Sequence, residues 1–258
     1  MRDERVHVAP RLTAVGLAKA FKGHAAIQDV SFTVREGEFV AVLGPSGAGK
    51  TTLFRCLTGL LLPDKGEVRV GDEDVARLHG RARRRIAVVF QQFNLVSRIS
   101  ALDNVLAGRL GHVPAWRGLL RRFDRADRLL ALECLDRVGL LRQATQRADT
   151  LSGGQQQRVA IARAMAQRPS LIVADEPVAS LDPAAGAGVL ELLRGVARSD
   201  GVGVVCSLHQ VNLARSFADR VVGLSQGRKV IDSPIARFDE RAFQQLYGNG
   251  AASAGGSP

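Results

Sequence analysis

The stretch FVAVLGPSGAGKT, Phe39 to Thr51, decides the class of fold. Its first five residues are apolar throughout, the pattern of a strand buried on both faces. They run straight into Gly44, Pro45, Ser46, Gly47, Ala48, Gly49, Lys50 and Thr51, which satisfy GxxxxGK[ST] in full, and a helix is expected over Lys50 to Gly59 with Thr52 in its first turn. The glycines admit backbone conformations closed to other residues, so successive N–H groups can converge on phosphate oxygens. Lys50 is then expected to bridge β- and γ-phosphates as a point charge, and the Thr51 hydroxyl to ligate a magnesium ion. An ordinary glycine turn is the bland alternative, and the flanking strand and helix weigh against it.

Upstream, Leu12 to Val34 alternates apolar and polar residues, as in Val30, Phe32 and Val34 against Ser31, Thr33 and Arg35. That is the signature of an antiparallel edge with one wet face. Downstream, GEVRV (Gly66 to Val70) and IAVVF (Ile86 to Phe90) are further strands. From residue 92 to 150 the character changes: Ala101 to Leu110 and Asp124 to Val138 carry helical periodicity, with an irregular connection around Gly111 to Gly118. Strand and helix alternation then resumes with LIVA (Leu171 to Ala174), a helix over Pro183 to Ser199 opened by Asp182 as N-cap, a strand over Val202 to Ser207, and a closing hairpin of Val221 to Leu224 with Lys229 to Ile231. Such alternation predicts an α/β fold with a mostly parallel sheet covered by helices. It divides the chain into one domain over residues 12–247, with a helical subdomain over about 92–160 inserted in it, and a small polar tail, 248–258, expected to be disordered.

A second phosphate cradle lies in LSGGQQQR, Leu151 to Arg158. Leu151, Ser152, Gly153 and Gly154 stand ahead of a helix read over Gln155 to Gln167, and a helix start with unencumbered N–H groups and a hydroxyl is suited to an anion. Two such cradles in one chain require an explanation. Chemistry is expected at the strand ends, where ligands bind in open α/β sheets. Asp175 and Glu176 follow LIVA; Asp175 would hold magnesium, and Glu176 would orient and polarise an attacking water. Acidic residues commonly begin loops, and only the P-loop gives this pair its meaning. His209, in SLHQ, ends another strand of the same sheet, where an imidazole can donate to a γ-phosphate. Gln91 ends IAVVF and could reach the metal or the water, although by spacing alone it reads as a solvated loop residue.

Composition sets outer limits. The 258 residues, 46% hydrophobic and 24% charged, can bury a sizeable core. No run approaches the roughly 18 apolar residues of a membrane span, and the opening MRDERVHVAP lacks a secretory apolar stretch, so the chain is expected to stay where it is made. Cys56, Cys134 and Cys206 form no CxxC pair and suggest neither a disulfide framework nor a zinc site. The net charge of +11 is carried mainly by arginine. The runs Arg81 to Arg85 and Arg121 to Arg125 are most simply solvated faces, with phosphate or headgroup contact as the functional alternative.

The set GPSGAGKT, Gln91, LSGGQ, LIVADE, SLD at Ser180 to Asp182, and His209, in this order, resembles the ATP-binding subunits of ABC transporters over Leu12 to Tyr247. The resemblance implies a P-loop NTPase (RecA-like) core with an antiparallel β edge and an inserted helical subdomain. It implies ATP and Mg2+ as ligands, with Thr51, Gln91 and Asp175 about the metal and Glu176, His209 and Gln91 in the catalytic set. Phe21 takes the place of the aromatic residue stacked on adenine, unless it is an ordinary core residue. Leu151, Ser152, Gly153, Gly154 and Gln155 would act on the nucleotide of a second copy, with Asp182 at that dimer interface.

QQFNLVSRISALDNVLAGRLG (Gln91 to Gly111), PAWR, ADEPVASLDP and LHQV further resemble the ATP-binding component of bacterial phosphonate importers. That likeness implies an ATPase peripheral to the cytoplasmic face of the inner membrane. Its partners would be membrane permease subunits and, indirectly, a periplasmic substrate-binding protein, with no nucleic acid. Polar amino acid importers share much of the core. A DNA-acting ATPase of the same superfamily could use the positive charge, but such proteins usually separate P-loop and signature with a long coiled coil, and no sustained heptad runs here.

Overall fold

A computed structural model describes residues 10–78 and 80–248, without the side chains of residues 80–82. The polar tail from Asn249 onward and the opening nine residues lie outside the described residues. Strands β1 (Leu12–Phe21) and β2 (His24–Val34) form an antiparallel hairpin, followed by β3 (Phe39–Leu43) and helix α1 (Lys50–Leu57). Then come β4 (Lys65–Val70), the short β5 (Glu73–Asp74) and β6 (Ile86–Phe90). The helical block holds α2 (Ala101–Leu106), α3 (Ala115–Leu119), α4 (Arg125–Arg137) and α5 (Gly153–Ala166). The chain continues through β7 (Leu171–Asp175), α6 (Pro183–Asp200), β8 (Gly203–Ser207), α7 (Val211–Phe217), β9 (Arg220–Ser225), β10 (Arg228–Pro234) and α8 (Glu240–Tyr247).

Two sheets result. The first has the order β2-β1-β4-β5 and is antiparallel. The second has the order β10-β9-β3-β8-β7-β6, parallel except for β10 at its edge. Because side chains alternate along a strand, FVAVL serves two cores at once. Phe39, Ala41 and Leu43 pack with the helices on one side, while Val40 and Val42 pack with α1 and the antiparallel sheet on the other. This double burial is why the run is apolar throughout.

Two expectations are corrected. Gly153 and Gly154 lie inside the first turn of α5 rather than ahead of it, since Ser152 is the N-cap. The connection around Gly111 to Gly118 contains the helical turn of α3, opened by Pro114. In the run Arg81 to Arg85, Arg83 and Arg85 are exposed, as expected of a solvated face, and the described guanidinium groups also find protein partners. Arg83 Nε donates to the Leu78 carbonyl at 3.1 Å, Arg84 Nη1 to the Gly111 carbonyl at 3.3 Å, and Arg85 pairs with Glu73 at 3.3 Å. Among the described residues the longest helix of the inserted block is α5, 14 residues, too short for a coiled-coil arm.

One ion pair binds the helical block together. Arg109 Nε donates to Asp127 Oδ1 at 2.7 Å and Arg109 Nη1 to the Ala166 carbonyl at 2.9 Å, so a single guanidinium spans the end of α2, α4 and the end of α5. Both partners are nearly buried. Removing one leaves the other charged and unpaired in a dry setting. Asp127→Ala is therefore expected to cost about 3 kcal/mol in urea unfolding, and the Arg109→Leu/Asp127→Leu double variant is expected to recover most of that loss.

Candidate active site

The parallel register brings the expected residues to one edge. Val42 lies beside Ser207, Ala174 beside Cys206, and Phe90 beside Asp175. Extended by one or two residues, that register sets Gly44 level with His209, and Glu176 level with Gln91, at the C-terminal ends of β3, β8, β7 and β6. The P-loop is held there by steric fit. Gly49 has φ +98°, and a Cβ on it would come within 2.4 Å of the Ala26 carbonyl oxygen, so no other residue lets β2 approach so closely. Gly44 is similarly closed by the Leu224 carbonyl.

The loop surrounds a cavity of about 240 Å³ lined by Ala26, the backbone and side chains of Ser46 to Thr52, Glu176 and His209. Lys50 is only 6% exposed, and its Nζ donates to the Gly44 and Pro45 carbonyls at 2.7 and 3.1 Å. Burial lowers its pKa, and the nearby Glu176 and Asp175 carboxylates oppose that fall. The N–H groups of the first turn of α1, their helix dipole and this ammonium make the cavity a hole for polyanionic oxygen.

The sequence did not point to Ser207, yet it organises the acidic side of the site. Its Oγ donates to Asp175 Oδ1 at 2.9 Å and accepts from the Glu176 backbone N–H at 2.7 Å. That second bond helps hold Glu176 in a left-handed conformation, φ +49°, uncommon for a residue with a side chain. Glu176 Oε1 lies 2.6 Å from His209 Nε2, so the ring nitrogen donates to the carboxylate. Only the order β3-β8-β7 gives Ser207 this place between P-loop and acids.

Oxygen donors for a cation are present as the Thr51 hydroxyl, the Asp175 carboxylate and the Gln91 amide. Among the described residues no group of three His, Cys, Asp or Glu could enclose a metal. The set fits magnesium, which keeps most of its waters and is commonly bound by one or two protein oxygens together with phosphates.

Other expected residues are placed apart from the cavity. Phe21 is 47% exposed at the tip of the β1–β2 hairpin, which excludes the core alternative, and it does not line the cavity. Gln91 is exposed after β6. Asp182 caps α6, accepting from the Ala185 N–H at 2.9 Å. Ser152 and Gln155 form a capping box at the start of α5: Gln155 N–H donates to Ser152 Oγ at 3.3 Å, and Ser152 N–H to Gln155 Oε1 at 2.9 Å. Leu151 to Gln155 line no part of this cavity. Within this stretch Gly154 faces α6, where a Cβ on it would lie 3.1 Å from the Ala185 methyl.

The loop after Gln91 is fastened by three helical side chains that sequence reasoning missed. Arg163 Nη1 and Nη2 donate to the Asn94 and Phe93 carbonyls at 2.6 and 3.0 Å, the buried Asn104 bonds both the Val96 N–H and carbonyl, and Gln157 Nε2 reaches the Phe90 carbonyl at 3.4 Å. Arg163 and Gln157 both belong to α5. A second groove of about 410 Å³ lies beside this loop, lined in part by Leu60, Val75, Leu78, Phe90, Asn94 and Arg163.

The sequence pattern of the ABC transporter family matches residues 27–179. The hypophosphite import ATP-binding protein HtxD of Stutzerimonas stutzeri is 51% identical over 93% of this chain and 71% of its own length. The phosphonates import ATP-binding protein PhnC 3 of a Nostoc species is 49% identical over 88% of this chain and 87% of its own. Among solved structures, the ATP-binding cassette MJ0796, a dimer in a post-hydrolysis state with ADP and Pi bound, superimposes with a TM-score of 0.74 at 36% identity, covering 87% of this chain and 98% of that one.

The cleft's electrostatics have a measurable consequence. Burial holds the Asp175 carboxyl above its ordinary value of 3.8, with Glu176 adding to the rise and the Ser207 hydrogen bond and Lys50 opposing it. The folded chain therefore binds this proton more tightly than the unfolded chain, and stability falls as pH rises through the interval above 3.8. Asp175→Asn is expected to raise the melting temperature of the nucleotide-free protein at neutral pH. The gain should shrink as the pH is lowered toward the ordinary carboxyl range, as a thermal unfolding series would record.

Proposed function

We propose that this chain, which belongs to the ABC transporter family, hydrolyses ATP to drive an importer of phosphonates or a related phosphorus oxyanion. The observation that carries the substrate class is identity of 46–51% over about nine-tenths of the chain to relatives named for phosphonate and hypophosphite import. The ATPase reading rests on the cleft, where a cationic hole faces a carboxylate held by a histidine.

In this mechanism the N–H groups of residues 46–52 and the Lys50 ammonium neutralise the β- and γ-phosphates. Glu176, oriented by Ser207 and His209, orients a water for in-line attack and accepts its proton as ADP leaves. Thr51, Asp175 and Gln91 would hold magnesium, which when bound adds neutralising charge at the phosphates. Phe21 stacks on the base. Leu151 to Gln155 do not line the chain's own cavity, so they act on the nucleotide of a second copy, with Asp182 at the shared face. The dimeric state described for a related cassette supports this arrangement.

The permease seats in the 410 Å³ groove beside the loop after Gln91, which puts the chain peripherally on the cytoplasmic face of the inner membrane, with a periplasmic binding protein delivering the ligand. Residues 12–247 act as the nucleotide-binding domain and about 92–160 as its helical subdomain. That boundary falls within the continuous helix α5.

Co-purification with a permease, and ATPase stimulation by a phosphonate-loaded binding protein but not by an amino-acid-loaded one, test the substrate class. Glu176→Gln is expected to bind MgATP, accumulate as a closed dimer on gel filtration and lose about a hundredfold or more in turnover. Undiminished steady-state hydrolysis would remove Glu176 from its role. Lys50→Ala should fail at nucleotide binding. Ser152→Arg should bind ATP through its intact P-loop yet neither dimerise nor turn over; normal hydrolysis by an isolated monomer would refute the shared site.

A further inference from the structure

The segment between α2 and α4 leaves a surface that the nucleotide site does not use. Trp116, Leu119 and Leu120 occupy positions i, i+3 and i+4, one face of the α3 turn. That face is turned to solvent: Leu119 is 85% exposed, Trp116 54% and Leu120 57%. Leu110, also half-exposed, extends the patch by folding against Gly118, where a Cβ would lie 2.7 Å from the Leu110 Cδ2. A contiguous exposed apolar patch of this kind calls for a partner.

The charge around the patch is of one sign. Arg117, Arg121, Arg122, Arg125 and Arg128 are exposed, and among the described residues none is paired with a carboxylate. The Arg117 guanidinium lies 5.3 Å from the Trp116 ring centroid. The two carboxylates within the stretch are already engaged: Asp124 caps α4 by accepting from the Asp127 N–H, and Asp127 holds Arg109. The short helical turn is rigidly presented. Arg121 N–H and Arg122 N–H donate to the Gly118 and Arg117 carbonyls, closing the turn. At its base His112 Nε2 lies 3.0 Å from the Gln167 carbonyl oxygen, on a residue that lines the 410 Å³ groove.

We infer that Trp116, Leu119 and Leu120, ringed by Arg117, Arg121 and Arg122, form a finger that inserts shallowly into the headgroup region of an anionic phospholipid surface. Tryptophan and leucine with surrounding arginine are the side chains suited to that boundary, where rings and aliphatic tips enter the acyl edge while guanidinium groups stay among phosphates. An anionic lipid surface answers both the apolar face and the unpaired positive charge, whereas a protein partner would have to supply matching carboxylates at each arginine. The placement beside the groove rests on the reading of that groove as the permease seat, but lipid binding by the isolated chain does not.

Trp116 is the only tryptophan in the sequence, so its emission reports insertion directly. The full chain, without nucleotide, is mixed with vesicles of phosphatidylcholine alone or with about a third phosphatidylglycerol, and partition is measured by flotation beside the fluorescence spectrum. Partition to the anionic vesicles with a blue shift of Trp116 is expected, with neither on phosphatidylcholine. Each arginine near the surface contributes about fivefold, so Arg117→Gln/Arg121→Gln/Arg122→Gln should weaken partition about a hundredfold. Leu119→Ala/Leu120→Ala should abolish the blue shift and weaken partition about tenfold or more, while basal ATPase activity in lipid-free solution stays unchanged in both variants. Three results overturn the inference: no partition, partition without any spectral shift, or partition insensitive to Leu119 and Leu120, which would reduce it to the chain's general charge. Loss of permease co-purification in these variants, with no vesicle binding by the parent chain, would assign the patch to protein instead and also overturn it. A failed ATPase assay with intact vesicle partition would bear on the transport reading alone.

Discussion

A buried ammonium sets the terms for this structure. Lys50 is withdrawn from water, and its hydrogen-bond partners among the described residues are two carbonyl oxygens, those of Gly44 and Pro45. Dipoles of that kind take two of its three N–H donors but do not cancel its charge, and the Asp175 and Glu176 carboxylates act on it from a distance. Burial lowers its pKa and those carboxylates oppose the fall, so negative charge close by, from the surroundings or a ligand, favours the charged form. The rest of the fold supplies the rigidity this demands: a strand buried on both faces behind the loop, β2 pressed against Gly49 in front of it, and a sheet whose parallel register sets the acids opposite.

The second cradle is built differently. The N–H of Gln155 is occupied by Ser152 Oγ in a capping box, and the Gln155 side chain is folded back on the Ser152 N–H. Gly154 is small because α6 passes close by, not because the backbone there is left-handed; both it and Gly153 lie within regular helix. The two glycine-containing helix starts are thus distinct in construction. The P-loop encloses its ligand by wrapping, with glycines at positive φ, whereas the start of α5 presents an open, flat helix end. A wrapped site and an open one suit a nucleotide held by one chain and covered by another.

What was legible in the sequence were features whose cause is local. Double burial wrote FVAVL and LIVA as apolar runs, while IAVVF turns Val88 and Phe90 partly to a groove; β3 and β6 occur at the limits read, with β7 one residue longer. The N-cap Asp182 announced α6, and helical periodicity from Asp124 announced α4. Short amphipathic turns such as α3, α7 and α8 lacked enough periods to stand out among polar residues. The tasks of Ser207, Arg163, Asn104 and Gln157 were illegible for another reason. Ser207, Arg163 and Gln157 bond groups far away in sequence and Asn104 bonds across a loop of irregular shape, and nothing nearby marks a serine in VVCS as the clamp between two acids until strand order is known. The bonds of Arg83 and Arg84 to carbonyls were likewise illegible, because charge composition does not reveal which guanidinium groups find them.

Rigidity is also distributed unequally, and in a way that links the two cradles. The strand-end residues Gly44, Asp175 and Glu176 belong to one parallel sheet and are tied to it by Ser207 and the register. The loop after Gln91 leaves that sheet at Phe90 and is held from the other side, by Arg163 and Gln157 of α5 and Asn104 of α2. Because α5 is one continuous helix from Gly153 to Ala166, its start and the side chains gripping the loop belong to the same rigid element. The Arg109 guanidinium then fastens the far end of α5 to α2 and α4. A rigid-body displacement at Ser152 must therefore be transmitted to the chain around Phe93 and Asn94, unless the Arg163 bonds break. Those bonds run from a partly buried cation to two carbonyls, and breaking them would cost that cation both hydrogen bonds.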